Sequence, residues 1–177
     1  MAGNAATTRA LAAYRGHTPY GTDPTVQRAE NDNAGGGTGA AETQSVAEGE
    51  VKEVGSGGTI VYPSVTSCLT ITVYLRDGGK VGGHASLFRV DGGMYSDEIL
   101  KAIKDQVGGR RVERIDVSGA ASAWHPAYLE KAMERPGPSP EHTKRDFAGI
   151  RKVVARVLNR QEGKVTVTET QDGTLTR

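Results

Sequence analysis

The stretch Cys68-Leu69-Thr70-Ile71-Thr72-Val73-Tyr74-Leu75-Arg76-Asp77-Gly78-Gly79-Lys80 decides how this chain folds. Its first part is rich in β-branched residues and alternates strictly, the period-2 signature of a strand. Leu69, Ile71, Val73 and Leu75 share one face, and Cys68, Thr70, Thr72 and Tyr74 share the other. Arg76-Asp77-Gly78-Gly79 reads as a tight turn. Lys80 to Val90 reads as the returning strand, with Val81, Ala85 and Leu87 on one face and His84, Ser86 and Phe88 on the other.

Upstream, Thr59-Ile60-Val61-Tyr62 predicts a short strand ended by Pro63. Downstream, Gly92-Gly93 breaks the chain. Ser96 reads as an N-cap, with Asp97 and Glu98 in a first turn whose dipole favours acids. Ile99, Leu100, Ile103 and Val107 follow at helical spacing, and Gly108-Gly109 closes the helix. Val112 to Val117 predicts a strand, and Pro126 opens a short helix carrying Tyr128, Leu129 and Met133. Ser139-Pro140-Glu141 opens a longer helix whose apolar stripe is Phe147, Ile150, Val154, Val157 and Leu158. Its other face carries Lys144, Arg145, Arg151, Lys152 and Arg156. Lys164 to Glu169 and the turn at Asp172-Gly173 predict an edge strand or hairpin. This order of elements predicts an α+β fold, an antiparallel β-sheet or sandwich core flanked by helices.

Residues 1–50 differ from the rest. They are rich in Ala, Gly, Thr and Asn, carry three basic and six acidic residues, and have few large apolar side chains. Such a segment cannot bury enough apolar surface to offset its ordering entropy. It is expected to be disordered or loosely ordered, leaving 51–177 as the folded domain. The whole chain of 177 residues balances 22 Lys+Arg against 21 Asp+Glu, which argues against a broad nucleic-acid-binding surface. No apolar run is long enough to span a bilayer. Met1 to Arg15 has no apolar h-region, so no Sec signal peptide is expected. The single cysteine rules out an intrachain disulfide and most zinc sites.

That cysteine lies on the polar side of its strand, just after the turn-like Pro63 to Ser67, and His84 lies on the matching side of the next strand. The two face each other if the hairpin loop centres on Arg76, with Gly78 left-handed. A loop centred between Asp77 and Gly78 slides them about three residues, roughly 10 Å, apart. Paired, they have an obvious chemistry. The imidazole takes the thiol proton and later delivers it to a leaving amine. Backbone amides of the Ser67-Cys68 turn can hold the oxyanion. A catalytic Cys68 is expected to be acidic enough to alkylate with iodoacetamide below about pH 8.

Val65-Thr66-Ser67-Cys68-Leu69-Thr70-Ile71-Thr72-Val73-Tyr74-Leu75, followed by Gly82-Gly83-His84-Ala85, resembles the active-site segment of the Cys–His protein glutamine deamidases. That superfamily includes the chemoreceptor deamidases and the cytotoxic necrotizing factor-like toxins, and the likeness covers roughly Thr59 to Val90. It implies Cys68 as nucleophile, His84 as base, and backbone amides of Ser67 and Cys68 at the oxyanion. In the chemoreceptor enzymes a threonine orients the histidine where Tyr62 stands here; in the toxins a backbone carbonyl does so. Thr59, Tyr62 and Ser64 are therefore the candidate orienting residues. The C-terminal half does not look like the chemoreceptor enzymes, which favours the toxin or effector branch.

The implied reaction converts a glutamine on a protein substrate to glutamate with release of ammonia, without cofactor or metal. The implied partner is a small GTPase, translation factor or receptor, engaged by a monomer. The implied location is secretion without a Sec signal and delivery to a target cell, or otherwise the cytoplasm. The alternatives are a chemoreceptor-type deamidase, a cysteine protease or transglutaminase, and a non-catalytic α+β binding module. His17, His125 and His142 read as surface or cap residues.

Overall fold

The computed structural model describes residues 41–137, 145–170 and 172–177. Its larger sheet runs β2 (Val51–Val54), β5 (Lys80–Ala85), β4 (Leu69–Leu75), β6 (Val112–Gly119), β7 (Val165–Glu169). Its smaller sheet runs β1 (Thr43–Ser45), β3 (Thr59–Val65), β8 (Gly173–Thr176). The helices are α1 (Ser96–Val107) and α2 (Phe147–Val157). The fold is α+β, as the element order predicts. The pairing is mixed rather than purely antiparallel, because β6–β7 and β1–β3 run parallel. β7 follows α2, and a crossover through a helix is how a chain returns in the same direction. Among the described residues, no helix is long and apolar enough to cross a membrane.

Alternation along β4 sends its side chains into two separate cores. Leu69, Ile71, Val73 and Leu75 meet Ile99, Leu100 and Ile103 of α1 and Ile150 and Val154 of α2. Each such side chain, fully buried, contributes about 1.5–3 kcal/mol. The opposite face reads as polar but is covered by the small sheet. There Cys68 joins Val46, Val54, Ile60, Tyr62 and Val65. Thr70 and Thr72 stay buried because each finds a partner: Thr70 Oγ1 donates to the Ser118 carbonyl (3.1 Å), and Thr72 Oγ1 pairs with the Tyr62 hydroxyl (2.7 Å).

The hairpin register falls between the two considered from the sequence. Thr70 stands opposite His84, so the loop centres on Asp77. Gly78 takes φ +88°, and the Leu75 N–H and Gly79 carbonyl close the turn at 2.9 Å. Cys68 and His84 are thus diagonal neighbours on one face, two residues out of direct opposition, close enough for side chains to meet.

Several local expectations are corrected. β5 ends at Ala85 instead of reaching Val90. Pro63 does not end β3. Pairing with β1 stops at Val61 and the β8 ladder shifts between Tyr62 and Val65, so a residue without an N–H falls in the irregularity. Tyr95, not Ser96, is the N-cap of α1, and its N–H donates to Glu98 (2.9 Å). α2 begins at Phe147, where the Asp146 carboxylate accepts from Gly149 N–H (2.7 Å); the Ser139-Pro140-Glu141 start lies outside the described residues. Of the two expectations for the C-terminus the edge strand holds and the hairpin does not: β7 is the edge of the large sheet, and β8 joins the small one.

The expectation for residues 1–40 lies outside the described residues. For 41–50 it is corrected. Thr43–Ser45 pairs alongside β3, and Val46 is fully buried. A strand of three residues followed by one core side chain is too short to stand out in the composition of a 50-residue window.

Three glycines set the spacing around the site. A Cβ on Gly82 would lie 2.2 Å from the Tyr62 hydroxyl, and one on Gly83 would lie 2.7 Å from Ile99 and Ile103. Gly119, at φ +135°, lets the Cys68 carbonyl approach; a Cβ there would sit 2.1 Å from that oxygen. Gly119→Ala is expected to cost about 1–3 kcal/mol, in the range of a strained backbone residue, measured by urea denaturation. Gly163→Ala, whose Cβ meets nothing within 4 Å, should change stability by no more than about 0.5 kcal/mol.

Candidate active site

Cys68 is almost fully buried directly beneath the exposed turn residues Thr66 and Ser67. The turn is held from behind. Trp124 Nε1 donates to the Ser67 carbonyl at 2.9 Å, and the Ala120 N–H to the Cys68 carbonyl at 3.0 Å. Among the described residues neither Ser67 N–H nor Cys68 N–H donates to a backbone carbonyl.

His84 is completely buried, which obliges each ring nitrogen to be accounted for. Its Nδ1 lies 3.1 Å from the Val46 carbonyl. A carbonyl only accepts, so Nδ1 carries the proton and Nε2 the free lone pair. Nε2 has no hydrogen-bond partner. The segment supplying that carbonyl is fastened to His84 on both sides. The Gly49 N–H donates to the His84 carbonyl (2.8 Å), and the His84 N–H to the Glu50 carbonyl (3.0 Å).

Among the described residues, none of the three candidate orienting residues hydrogen-bonds His84. The Tyr62 ring meets the imidazole edge-on, 5.9 Å between centroids, while its hydroxyl is engaged by Thr72. Thr59 stands at the far end of β3, where its N–H donates to the Glu42 carbonyl (2.7 Å). Ser64 is exposed, with φ +54°. The orienting group is the main chain of Val46. No side-chain signal marks a main-chain carbonyl acceptor; the only hint is one valine ahead of a Glu-Gly turn in an otherwise small-residue segment.

The same turn brings in a residue that the sequence reading missed. One ligating atom each from Glu48, Cys68 and His84 lies within 4.8 Å of the others. These three can hold a metal ion as well as carry acid–base chemistry. Burial pushes the Cys68 thiol up to about 11, and the neighbouring Glu48 carboxylate adds to the rise. Ser86 and the Thr66 N–H act weakly in the other direction. Burial lowers His84 below its ordinary value, against smaller opposing effects from the Val46 carbonyl and Glu48. The resting pair is therefore neutral thiol beside neutral imidazole. This corrects the expectation of an unusually acidic thiol: low dielectric disfavours both members of a thiolate–imidazolium pair.

A cleft of about 430 Å³ opens along Ala47–Glu50 and Val90–Gly93, with Glu48 in its wall. Other features lie elsewhere. His125 Nδ1 accepts from the Ala127 N–H (3.1 Å), a cap as expected; His17 and His142 are outside the described residues. On the basic helix, Arg156 pairs with Glu130 (2.6 Å), while Arg151 and Lys152 are exposed.

Because the thiol is held protonated, alkylation of Cys68 by iodoacetamide, followed by intact mass, should still be rising at pH 9 rather than levelling near neutrality. Glu48→Gln removes the carboxylate that favours the protonated form, so at pH 8 it should alkylate severalfold faster than the parent. No protein-family model matches this chain, and no curated protein matches it.

Proposed function

We propose that this chain is a cysteine-dependent protein glutamine deamidase. The observation that carries the reading is the hydrogen bond from His84 Nδ1 to the Val46 carbonyl, which leaves Nε2 as a buried base in the same cluster as the Cys68 thiol. A main-chain carbonyl in this role is the arrangement expected from the toxin branch of the superfamily that the Cys68–His84 segment resembles. In this reading the chain is a toxin- or effector-type enzyme acting on a target protein.

The reaction starts from the neutral pair. As Sγ attacks the glutamine carboxamide carbon, Nε2 takes the thiol proton. The carbonyl oxygen becomes an oxyanion, stabilised by the Ser67 and Cys68 N–H groups. Collapse breaks the C–N bond, and the imidazolium returns its proton to the leaving nitrogen, giving ammonia and a thioester. Water, deprotonated by Nε2, then attacks the thioester and releases glutamate and free thiol. The Val46 carbonyl stabilises the imidazolium in each half and holds the ring in one tautomer.

Glu48 gives the reading selectivity. Its carboxylate can accept from the amide NH₂ of a bound glutamine. The glutamate formed puts a second negative charge beside it, and like charges repel. Substrate is attracted and product expelled by the same group.

The test is ammonia release with intact-mass analysis of small GTPases, translation factors and chemoreceptor fragments. The expected result is the small mass gain of amide-to-acid conversion in one of them. Cys68→Ser should abolish it, and His84→Ala should slow it about 10²–10⁴-fold. Ammonia release that persists in Cys68→Ser would sink the reading.

A further inference from the structure

We propose that Glu48, Cys68 and His84 form a binding site for one thiophilic divalent cation, Zn²⁺. The donor set is one thiolate, one imidazole and one carboxylate, the soft-to-borderline mixture that zinc prefers and that magnesium and calcium do not. Three protein ligands leave a fourth tetrahedral position for water.

Two independent observations point to a ligand there. The three donor atoms lie within 4.8 Å of one another, whereas donors around a tetrahedral zinc stand roughly 3.5 Å apart. Closing the site around an ion asks for a shift of little more than about 1 Å in the widest separation. Second, His84 is fully buried with an unpartnered Nε2, while its Nδ1 donates to a carbonyl. An imidazole whose far nitrogen is fixed by a carbonyl is the usual form of a zinc-ligating histidine. Charge also balances, since Zn²⁺ neutralises one thiolate and one carboxylate. The binding step is Cys68–SH plus Zn²⁺ giving Cys68–S–Zn⁺ plus one proton released to solvent.

The site stands on this geometry alone. Its consequence, that zinc occupies the nucleophile and silences the enzyme, rests on the deamidase reading.

The experiment titrates the reduced full chain with Co²⁺ under anaerobic conditions and then displaces it with Zn²⁺. The expected result is one Co²⁺ per chain, with the near-ultraviolet band of a cobalt–thiolate bond and the visible bands of a four-coordinate ion. Zn²⁺ should bleach both, and Mg²⁺ should not. Cys68 is the only cysteine, so the thiolate band reports this site and no other, and Cys68→Ser should lose it. Glu48→Gln, at a half-exposed turn position, should fold and bind at least about tenfold more weakly. Zn²⁺ should release about one proton in calorimetry run in two buffers, and should protect Cys68 from iodoacetamide.

Absence of a thiolate band with the parent chain overturns the proposal. So does a band whose affinity is unchanged in both Glu48→Gln and His84→Ala, which would be an ion on a lone thiol. A chain that binds Co²⁺ in this way but deamidates nothing keeps the metal site and defeats the deamidase reading. Deamidation unaffected by saturating Zn²⁺ defeats the silencing.

Discussion

β5 is held between two layers that leave it no room for side chains at Gly82 and Gly83. Ile99 and Ile103 of α1 press on one face and the Tyr62 hydroxyl on the other. His84 follows directly, so it enters the most tightly closed part of the fold. A buried imidazole must have its polar atoms satisfied or used. The Val46 carbonyl satisfies one nitrogen, and the other stays without a hydrogen-bond partner, close to Cys68 and Glu48. The short β1, the Glu48 turn and the small sheet are all arranged around that requirement.

The resting electrostatics follow from the same closure. A low-dielectric pocket disfavours separated charge, so thiol and imidazole rest uncharged. The thiol is also kept from the reactions that consume exposed thiolates, because susceptibility to oxidation follows thiolate character and access.

Much of this was legible in the sequence. The alternation of Cys68 to Leu75 and the glycine turn after it identify the central hairpin, and helical spacing from Ile99 to Val107 identifies α1. Cys68 and His84 could be placed on one face before their register was known. What stayed hidden has physical reasons. The orienting group is a main-chain atom of Val46, and every residue has a carbonyl. Glu48 lies 20 positions before Cys68, in a segment whose average composition is that of a tail; only its attachment to β5 brings it to the thiol. The face carrying Thr70 and Thr72 reads as polar, and periodicity shows only that two faces differ. It does not show that a second sheet covers the polar one.

Trp124 is the single tryptophan of the chain, and its indole nitrogen donates to the carbonyl of Ser67, the residue preceding Cys68. It is buried in the main core, away from bulk water. The molecule therefore carries a native optical gauge wired to the turn that would cradle an oxyanion. A rearrangement of the Ser67–Cys68 turn that breaks this hydrogen bond changes the surroundings of the one indole that the protein possesses, so it can be followed in unlabelled protein and in real time.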